Sequence, residues 1–407
     1  MVNIVSFNGG RGAKNLIPVL LDIDGVNLTC ILNAYDDGKS TGEIRDFFKM
    51  LGPSDIRKVQ EAMLPKDLLD YESVCRVFDF RFPVDADHEI VLRKMRDFAS
   101  CGEIEGISFK DATIEEALKT CVGRLLKGIE LIEKSENKKI NFSDCALMNL
   151  IYAGAYLVFG GNFEEATIFI DKLFKLRGTV LPTNNEDKKL VAIREDGTIL
   201  YSEAEIVELR SNSRIKKIYL LDQYPDKNIL STMAVEKVEE YFEIMNRQVS
   251  ITPRVARSIS DADIIIYSAG TQHSSLYLSY MTKGLTDSIV ANKKALKVFI
   301  ANIGEDYETP SYSANDLING AVKYLRMGTT SNIAVEDLIT VALVNNRFSD
   351  DKLENYIRFD LNQLNKIGCK IIIDGFEDLQ NPGKHDATLL SKLIINLYQA
   401  ATSKLEK

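Results

Sequence analysis

The chain has 407 residues, 45% of them hydrophobic, and a formal net charge of −9. This is more chain than one small domain holds and enough apolar material for a substantial core, which predicts one large α/β domain with an appendage or two domains. The acidic balance excludes a general nucleic-acid or anionic-membrane binder, and no apolar run approaches the roughly 20 residues of a membrane helix.

Met1 leads into a strand pattern without the basic start and apolar stretch of a signal peptide, so the expected location is the cytoplasm. Cys30, Cys75, Cys101, Cys121, Cys145 and Cys369 form no C-x-x-C pair. They are expected as reduced thiols, most of them buried among apolar residues. His88, His273 and His385 are too isolated to suggest a metal cluster.

In chain order, Val2 to Phe7 is short, apolar and β-branched, and reads as a buried strand. Asn8-Gly9-Gly10-Arg11-Gly12 follows, then a helical pattern over Ala13 to Leu21. Strand, glycine loop and helix in succession present backbone N–H groups and a helix N-terminus to an anion. Leu28 to Leu32 is a second apolar run. It opens into Ala34-Tyr35-Asp36-Asp37-Gly38-Lys39-Ser40-Thr41, where two acids, a glycine, a lysine and two hydroxyls suit a metal–phosphate site or a surface turn. Gly52-Pro53 is a turn, and Ser54 or Asp55 is expected to cap a helix carried on by Ile56, Val59 and Met63.

Residues 66–110 read as an irregular or helical insertion. Thr113 to Lys134 is an amphipathic helix, and Phe142 to Val158 an apolar one whose Ala153, Gly154 and Ala155 permit close packing. Phe163 to Leu176 continues the helical pattern. From Gly178 to Glu208 short strands with an Asp196-Gly197 hairpin signal predict a small β-rich excursion. Arg210 to Leu221 is a strand and Ser231 to Met245 a helix. Ala262 to Tyr267 is a buried strand of the parallel kind, running into Ser268-Ala269-Gly270-Thr271-Gln272-His273-Ser274-Ser275 and a helix over Leu276 to Leu285. Leu296 to Ile303 is a further buried strand that ends at Asn302. A helix over Asn315 to Leu325, a strand over Asp337 to Leu343, a charged helix over Leu353 to Ile367, a strand over Lys370 to Asp374 and a helix over Ala387 to Ala400 complete the pattern.

The fold class is therefore α/β: a Rossmann-like, doubly wound, mostly parallel sheet with flanking helices and a small β excursion. Ligands of such sheets sit at the carboxyl ends of the strands. The loops at Gly9–Gly12, Tyr35–Thr41, Pro53–Arg57 and Ala269–Ser275 are all expected to face one crevice. An ordinary NAD enzyme is a weaker reading, because the first loop lacks G-x-G-x-x-G spacing and Asp36 matches the ribose-binding acid only loosely.

Six short motifs, in order, resemble the 2-phospho-L-lactate transferase (CofD-like) family, and more closely its gluconeogenesis-factor (YvcK-like) branch. Asn8-Gly9-Gly10-Arg11-Gly12 stands for Gly-Gly-Gly-Thr-Gly, and Tyr35 to Arg45 for Ala-Asp-Asp-Gly-Gly-Ser-Ser-Gly-Arg-Leu-Arg. Pro53-Ser54-Asp55-Ile56-Arg57 resembles Pro-Gly-Asp-Ile-Arg. Leu181-Pro182-Thr183-Asn184 is similar to Leu-Pro-Val-Thr. Ser268 to Ser275 resembles Gly-Pro-Gly-Ser-Leu-Tyr-Thr-Ser, and Lys297 to Ile303 looks like the strand that follows. Arg11 and Lys39 add positive charge where the family has threonine and glycine. Residues 66–110 form a larger insertion than the family carries, and 312–407 a longer end.

The resemblance implies a domain over 1–311 and a C-terminal α/β extension over 312–407 packed on it. It implies a nucleoside-diphosphate ligand held by Gly9, Gly10, Arg11, Gly12, Gly38, Lys39, Ser40, Thr41, Asp55, Arg57, Asn184, Gly270, Thr271, Ser274 and Ser275. Asp36 and Asp37 would bind Mg²⁺ or orient an acceptor hydroxyl. The YvcK-like branch implies a sugar-nucleotide-binding metabolic regulator. The transferase branch implies Mg²⁺-dependent transfer of a phospho-carboxylic acid from a nucleoside diphosphate donor to an alcohol. The expected partners are that small molecule and a second copy of the chain in a homodimer, with neither nucleic acid nor membrane.

Overall fold

The structure is a computed structural model that describes residues 1–10, 12, 14–349 and 356–405. The chain divides into two compact units, Met1–Asn33 with Lys189–Lys407, and Ala34–Lys188.

In the first unit the strands are β1 (Val2–Phe7) and β2 (Val26–Leu32); β3 (Thr179–Pro182) belongs to the second unit. The first unit continues with β4 (Lys189–Arg194), β5 (Ile199–Leu200), β6 (Ile215–Leu221), β7 (Ile264–Tyr267), β8 (Leu296–Ile300), β9 (Val341–Asn345) and β10 (Lys370–Asp374). Side by side the order runs β10, β9, β8, β7, β1, β2, with every neighbouring pair parallel. β7, β8 and β9 are buried along their whole length, whereas β10 is partly exposed, as an outer strand should be. The β excursion exists as a separate antiparallel sheet in the order β5, β4, β6. Its face of Val191, Ile193, Tyr219 and Leu221 is closed by Leu230, Val238 and Phe242 from the helical segment that follows.

β1 and β7 are neighbours, β2 lies beyond β1, and β8 lies beyond β7. The chain therefore leaves β1 in one direction and β7 in the other. This is the switch point of a doubly wound sheet, and a crevice for ligands opens there at the carboxyl ends.

Several expected elements shift. The helix predicted over Leu276 to Leu285 is a π-turn, Gln272–Leu276, continued by Tyr277–Tyr280, and a new helix starts at Leu285. Gly284, in the left-handed region at φ +85°, makes the break. The strand read at Asp337 begins instead at Val341, after a helical turn Val335–Leu338. The charged helix read from Leu353 is described only as Leu361–Leu364, and its first part falls outside the described residues. A helix at Pro253–Asp261, capped by Thr252, had not been expected. All six cysteines are free; Cys30, Cys121 and Cys145 are buried, Cys75 and Cys369 half-buried, and Cys101 exposed.

The second unit is mainly helical. The insertion resolves into helices Tyr71–Asp79 and His88–Cys101. The long amphipathic helix spans Ala112–Glu136 and the apolar one Leu147–Val158. Ser54 and Asp55 do not cap: the helix Ser54–Ala62 begins at Ser54 behind Pro53, which already has helical φ and ψ.

The small residues of the apolar helix have a specific use. A methyl at Gly154 would overlap the Cys121 carbonyl and lie 2.6 Å from its carbon, so the absence of a side chain sets how closely the two helices cross. Gly154→Ala should lower the stability of the protein by about 1–3 kcal/mol, the usual cost of forcing an extra methyl into a packed contact. Denaturant unfolding checks this, and an unchanged midpoint would refute it.

Candidate functional site

At the switch point two loops meet almost backbone to backbone. A methyl on Gly9 would come 3.1 Å from both Cβ and Oγ of Ser275, and one on Gly12 would lie 2.7 Å from Gly270 Cα and overlap the Ala269 carbonyl. The glycines after β1 are there because the loop after β7 occupies the space that side chains would fill. Within the loop after β7 the Thr271 and Ser275 hydroxyls, four residues apart, hydrogen-bond to each other at 2.7 Å, and Thr271 Oγ1 would lie 3.6 Å from a Gly9 methyl. That bond uses one of the two hydroxyl protons, so the pair keeps one to donate elsewhere.

Asparagines at strand ends brace the loops. Asn8 exchanges hydrogen bonds with Ser6, whose hydroxyl also meets Ser268 Oγ at 2.9 Å. Asn33, just past β2, donates to the Ser275 carbonyl at 2.6 Å. Asn302, just past β8, accepts from Gly270 N–H at 3.1 Å and donates to its carbonyl at 2.9 Å. Gln272 donates to the same carbonyl at 2.8 Å.

Glu308 closes the other side of the π-turn. Its carboxylate accepts from His273 N–H at 2.8 Å, from Ser274 N–H at 3.0 Å, and from the Ser274 hydroxyl. Burial, and then the charge of Asp306, push its pKa up to about 8. Burial, reinforced by Lys323 and Arg194, pushes His273 down to about 3, so this imidazole is neutral.

In the second unit, the loop of the paired acids rests on two glycines. A methyl on Gly52 would lie 2.5 Å from the Asp36 carbonyl oxygen, and one on Gly42 would overlap the Asp37 carbonyl. Asp36 accepts from Gly38 N–H at 3.1 Å. Its pKa is raised, first by burial and then by the negative charge of Asp55. Asp55 is held by Lys58 at 2.9 Å. Arg45, fully buried, donates to the carbonyls of Tyr35, Asp36 and Lys188 and pairs with Asp187 at 2.7 Å. It thereby ties the start of this unit to its end.

The expected ligand residues divide accordingly. Gly9, Gly10, Gly12, Gly270, Thr271, Ser274 and Ser275 belong to the first unit, where the two glycine loops meet. Asp36, Asp37, Gly38, Lys39, Ser40, Thr41, Asp55, Arg57 and Asn184 belong to the second. Arg11 lies outside the described residues. Several side chains already have structural partners. Ser274 is engaged by Glu308. Asn184 bonds the Tyr35 hydroxyl at 2.9 Å, and Arg57, largely buried, donates to the Phe78 carbonyl. Thr41 accepts from Asn149 at 3.4 Å. Lys39 is exposed and faces Asp144 at 3.6 Å. Among the described residues no group of three or more His, Cys, Asp or Glu is arranged to hold a metal ion. Asp55 is the acidic neighbour that bears on Asp36, a pair of carboxyls of the number that commonly holds Mg²⁺ with its waters. No helix among the described residues is long and apolar enough to cross a membrane.

Sequence reasoning missed Asn8, Asn33 and Glu308. An amide residue at the end of one strand after another was a usable signal for the asparagines. Glu308 had none, because it sits in a polar loop 34 residues from Ser274.

A parallel sheet with flanking helices and glycine loops at its switch point defines a Rossmann-like α/β protein. The family model described as 2-phospho-L-lactate transferase CofD matches residues 4–376, and the chain belongs to that family. The putative gluconeogenesis factor of Thermotoga maritima is 24% identical over 357 residues, covering 87% of this chain and 82% of its own length. The gluconeogenesis factor of Bacillus subtilis is 23% identical over 397 residues, covering 97% of each. A crystal structure of a upf0052-family protein from Bacillus halodurans is similar in fold, with a TM-score of 0.66 at 21% identity and coverage of 97% of this chain and 100% of that one.

The meeting of the two glycine loops is open to direct test. Gly12→Ala should force the loops apart and cost about 1–3 kcal/mol. Chemical denaturation reads this, and stability equal to the parent's would show that the loops do not meet as described.

Proposed function

We propose that this protein binds a nucleoside diphosphate ligand, such as a sugar nucleotide, with its diphosphate seated at the switch point, and acts as a metabolic regulator. The observation that carries this reading is the interlock of Gly9 and Gly12 with the Ala269–Ser275 loop. It brings side-chain-free backbone and the Thr271–Ser275 hydroxyl pair to the carboxyl end of β1 and β7, where N–H groups and hydroxyls suit phosphate oxygens. The gluconeogenesis-factor relatives support a role in metabolism. Arg11 would add a guanidinium to the same loop, able to grip phosphate oxygens in a bidentate way.

The alternative is a Mg²⁺-dependent transferase that moves a phospho-acid group from a nucleoside diphosphate to an alcohol. The family description supports it, and one geometric observation favours it. Asp36 is a carboxyl of raised proton affinity beside a second carboxylate, Asp55. Such a group attracts a divalent cation or orients a hydroxyl. Bound Mg²⁺ would supply charge neutralisation at the phosphate; the roles of Asp36 and Asp37 are to hold it or to position the acceptor.

A calorimetric panel of nucleoside diphosphates and sugar nucleotides, with and without Mg²⁺, tests both readings. At least one should bind the parent. Thr271→Val combined with Ser275→Ala should weaken that binding roughly tenfold or more, since a hydrogen bond to a charged group contributes about 1.5–3 kcal/mol. Unchanged affinity in the double variant would displace the site. A regulator should leave the ligand intact in the presence of alcohols, whereas a transferase should consume it. Asp37→Asn should reduce any Mg²⁺-dependent part of the affinity or turnover while leaving the Mg²⁺-independent part. The same Mg²⁺ dependence in variant and parent would remove Asp37 from that role.

A further inference from the structure

The Glu308 carboxylate occupies donors that an anion at the switch point would otherwise use. It takes the N–H groups of His273 and Ser274 and the Ser274 hydroxyl. These are the second and third residues of the π-turn Gln272–Leu276, near the N-terminal end of a helical segment, which favours negative charge. A one-turn π element of this kind interrupts a helix at some cost and is commonly found where a site needs it.

The loop that carries Glu308 is itself anchored. Asp306 accepts from the N–H groups of Glu308 and Thr309 at 2.9 and 3.1 Å, and from the Thr309 hydroxyl at 3.0 Å. Arg210 lies over the Tyr307 ring at 4.3 Å, and Arg214 over the Tyr312 ring at 4.6 Å. Arg214 also donates to the Ser311 carbonyl and pairs with Asp316 at 3.3 Å. Arginines from the segment between β5 and β6 and its edge thus fix both flanks of Glu308.

We infer that Glu308 is the positioning residue of the switch-point site: it fixes the π-turn from one side, confines an incoming diphosphate to the Gly9–Gly10 edge with Thr271 and Ser275, and must be neutral when the diphosphate is bound. The inference rests on the proposed diphosphate seat. The charge argument is simple. A carboxylate and a phosphate served by adjacent residues of one short turn repel each other strongly in a buried setting, and protonation of the carboxyl removes the repulsion. A protonated Glu308 still accepts from the two N–H groups through one oxygen, so the turn keeps its shape.

Several titratable and charged groups bear on Glu308. From its own loop they are Asp306 and, beyond it, Glu305; from the π-turn, neutral His273; from β4, the buried Arg194, which donates to the Ser213 and Leu209 carbonyls. Burial and Asp306 raise the proton affinity of Glu308, which places its titration within reach of an ordinary pH series.

The sign follows. Where free Glu308 is ionised, binding takes up a proton, so affinity falls as pH rises. With only the neutral form competent, the apparent dissociation constant scales inversely with the neutral fraction. This gives roughly a tenfold loss between pH 7 and pH 9 for a group titrating near 8.

The experiment uses the full chain with UDP-glucose, GDP-mannose and ADP-glucose; their diphosphate diesters keep constant charge over this range, and the adenine of the last does too, so it separates ionisation of uracil or guanine near pH 9 from that of Glu308. Affinity and proton uptake are measured by calorimetry in buffers of different ionisation enthalpy. The parent should show the tenfold fall and net proton uptake at pH 8. Glu308→Gln, which keeps an acceptor but cannot ionise, should bind with a flat pH profile and no uptake. Glu308→Ala should also give a flat profile but bind more weakly than Glu308→Gln at every pH, with the glutamine variant restoring the parent's affinity at pH 7.

A ligand-free reading runs in parallel. A carboxyl whose folded pKa is raised costs stability as pH climbs from its unfolded value through its folded one, so the parent should lose Tm relative to Glu308→Gln between pH 5 and pH 9. If the parent binds and glutamine leaves the pH slope unchanged, the inference is overturned while the diphosphate reading stands. If the parent binds neither sugar nucleotide nor inorganic pyrophosphate, the diphosphate reading falls and takes the inference with it.

Discussion

Two stretches of main chain can touch only where neither carries a side chain at the point of contact, and the first unit is arranged around one such touch. Gly9 and Gly12 meet Ala269, Gly270 and Ser275. β1 and β7 lie side by side, and their following loops must share the space above the strands before the chain turns to opposite sides. A residue with a Cβ at Gly12 would have to lift one loop off the other. The Thr271 and Ser275 hydroxyls, four residues apart on the loop after β7, bond to each other, and the contact brings both beside the Gly9 backbone. The hydroxyl pair is therefore local in origin, and the packing of the two loops is what sets it against the Gly9 backbone.

Parallel strands end by leaving N–H and C=O groups that no longer have a ladder partner. This chain answers with asparagine. Asn8, Asn33, Asn302 and Asn345 stand at or just past the ends of β1, β2, β8 and β9. Three use the amide to hold a loop: the Ser275 carbonyl for Asn33, both polar groups of Gly270 for Asn302, and the Phe376 and Glu377 N–H groups for Asn345, while Asn8 bonds Ser6 of β1, whose hydroxyl meets Ser268. A carboxamide offers donor and acceptor at once without charge. A row of them can therefore brace loops beside an anion site without adding to the field the anion feels. The second unit solves its own closure problem with charge instead. Arg45 is wholly buried, and its fork is shared among three carbonyls and Asp187, which is how a guanidinium becomes tolerable away from water.

The legible parts of the fold were those with a local cause. β1, β2, β7, β8 and β10 were readable because short β-branched runs bounded by Gly, Asn or Pro leave few alternatives. The excursion was readable from the Asp196-Gly197 hairpin, which does join β4 to β5. The helix Pro253–Asp261 carried its own signal, a Thr252 cap followed by proline at the first position, but a nine-residue helix between two strands offers little periodicity to notice. The π-turn could not be read, because Gln272 to Leu276 has no residue that distinguishes five residues per bond from four. The candidate site was half legible. Glycine loops announce themselves locally, whereas the meeting of Gly9 with Ser275 joins residues more than 260 positions apart and depends on sheet order. Glu308 is harder still: in sequence it is one acid among Glu305 and Asp306, and only burial tells it apart.

The two roles that a transferase could give the acids place opposite demands on one carboxyl. Asp36 is driven toward its protonated form by burial and by Asp55. A divalent cation beside it would reverse that drive, because positive charge stabilises the carboxylate more than a second acid destabilises it. An acceptor hydroxyl would instead use the raised proton affinity directly, with Asp36 taking the proton as the oxygen attacks. A protein that only senses a nucleotide needs neither state, and for it the acid pair is a standing cost in the folded chain. Asp36 sits on Gly52, is bonded by Gly38, and is kept near Asp55 while Lys58 draws on the latter. So many contacts hold the acids together that their proximity is enforced by the fold, and the repulsion between them is built into the folded chain.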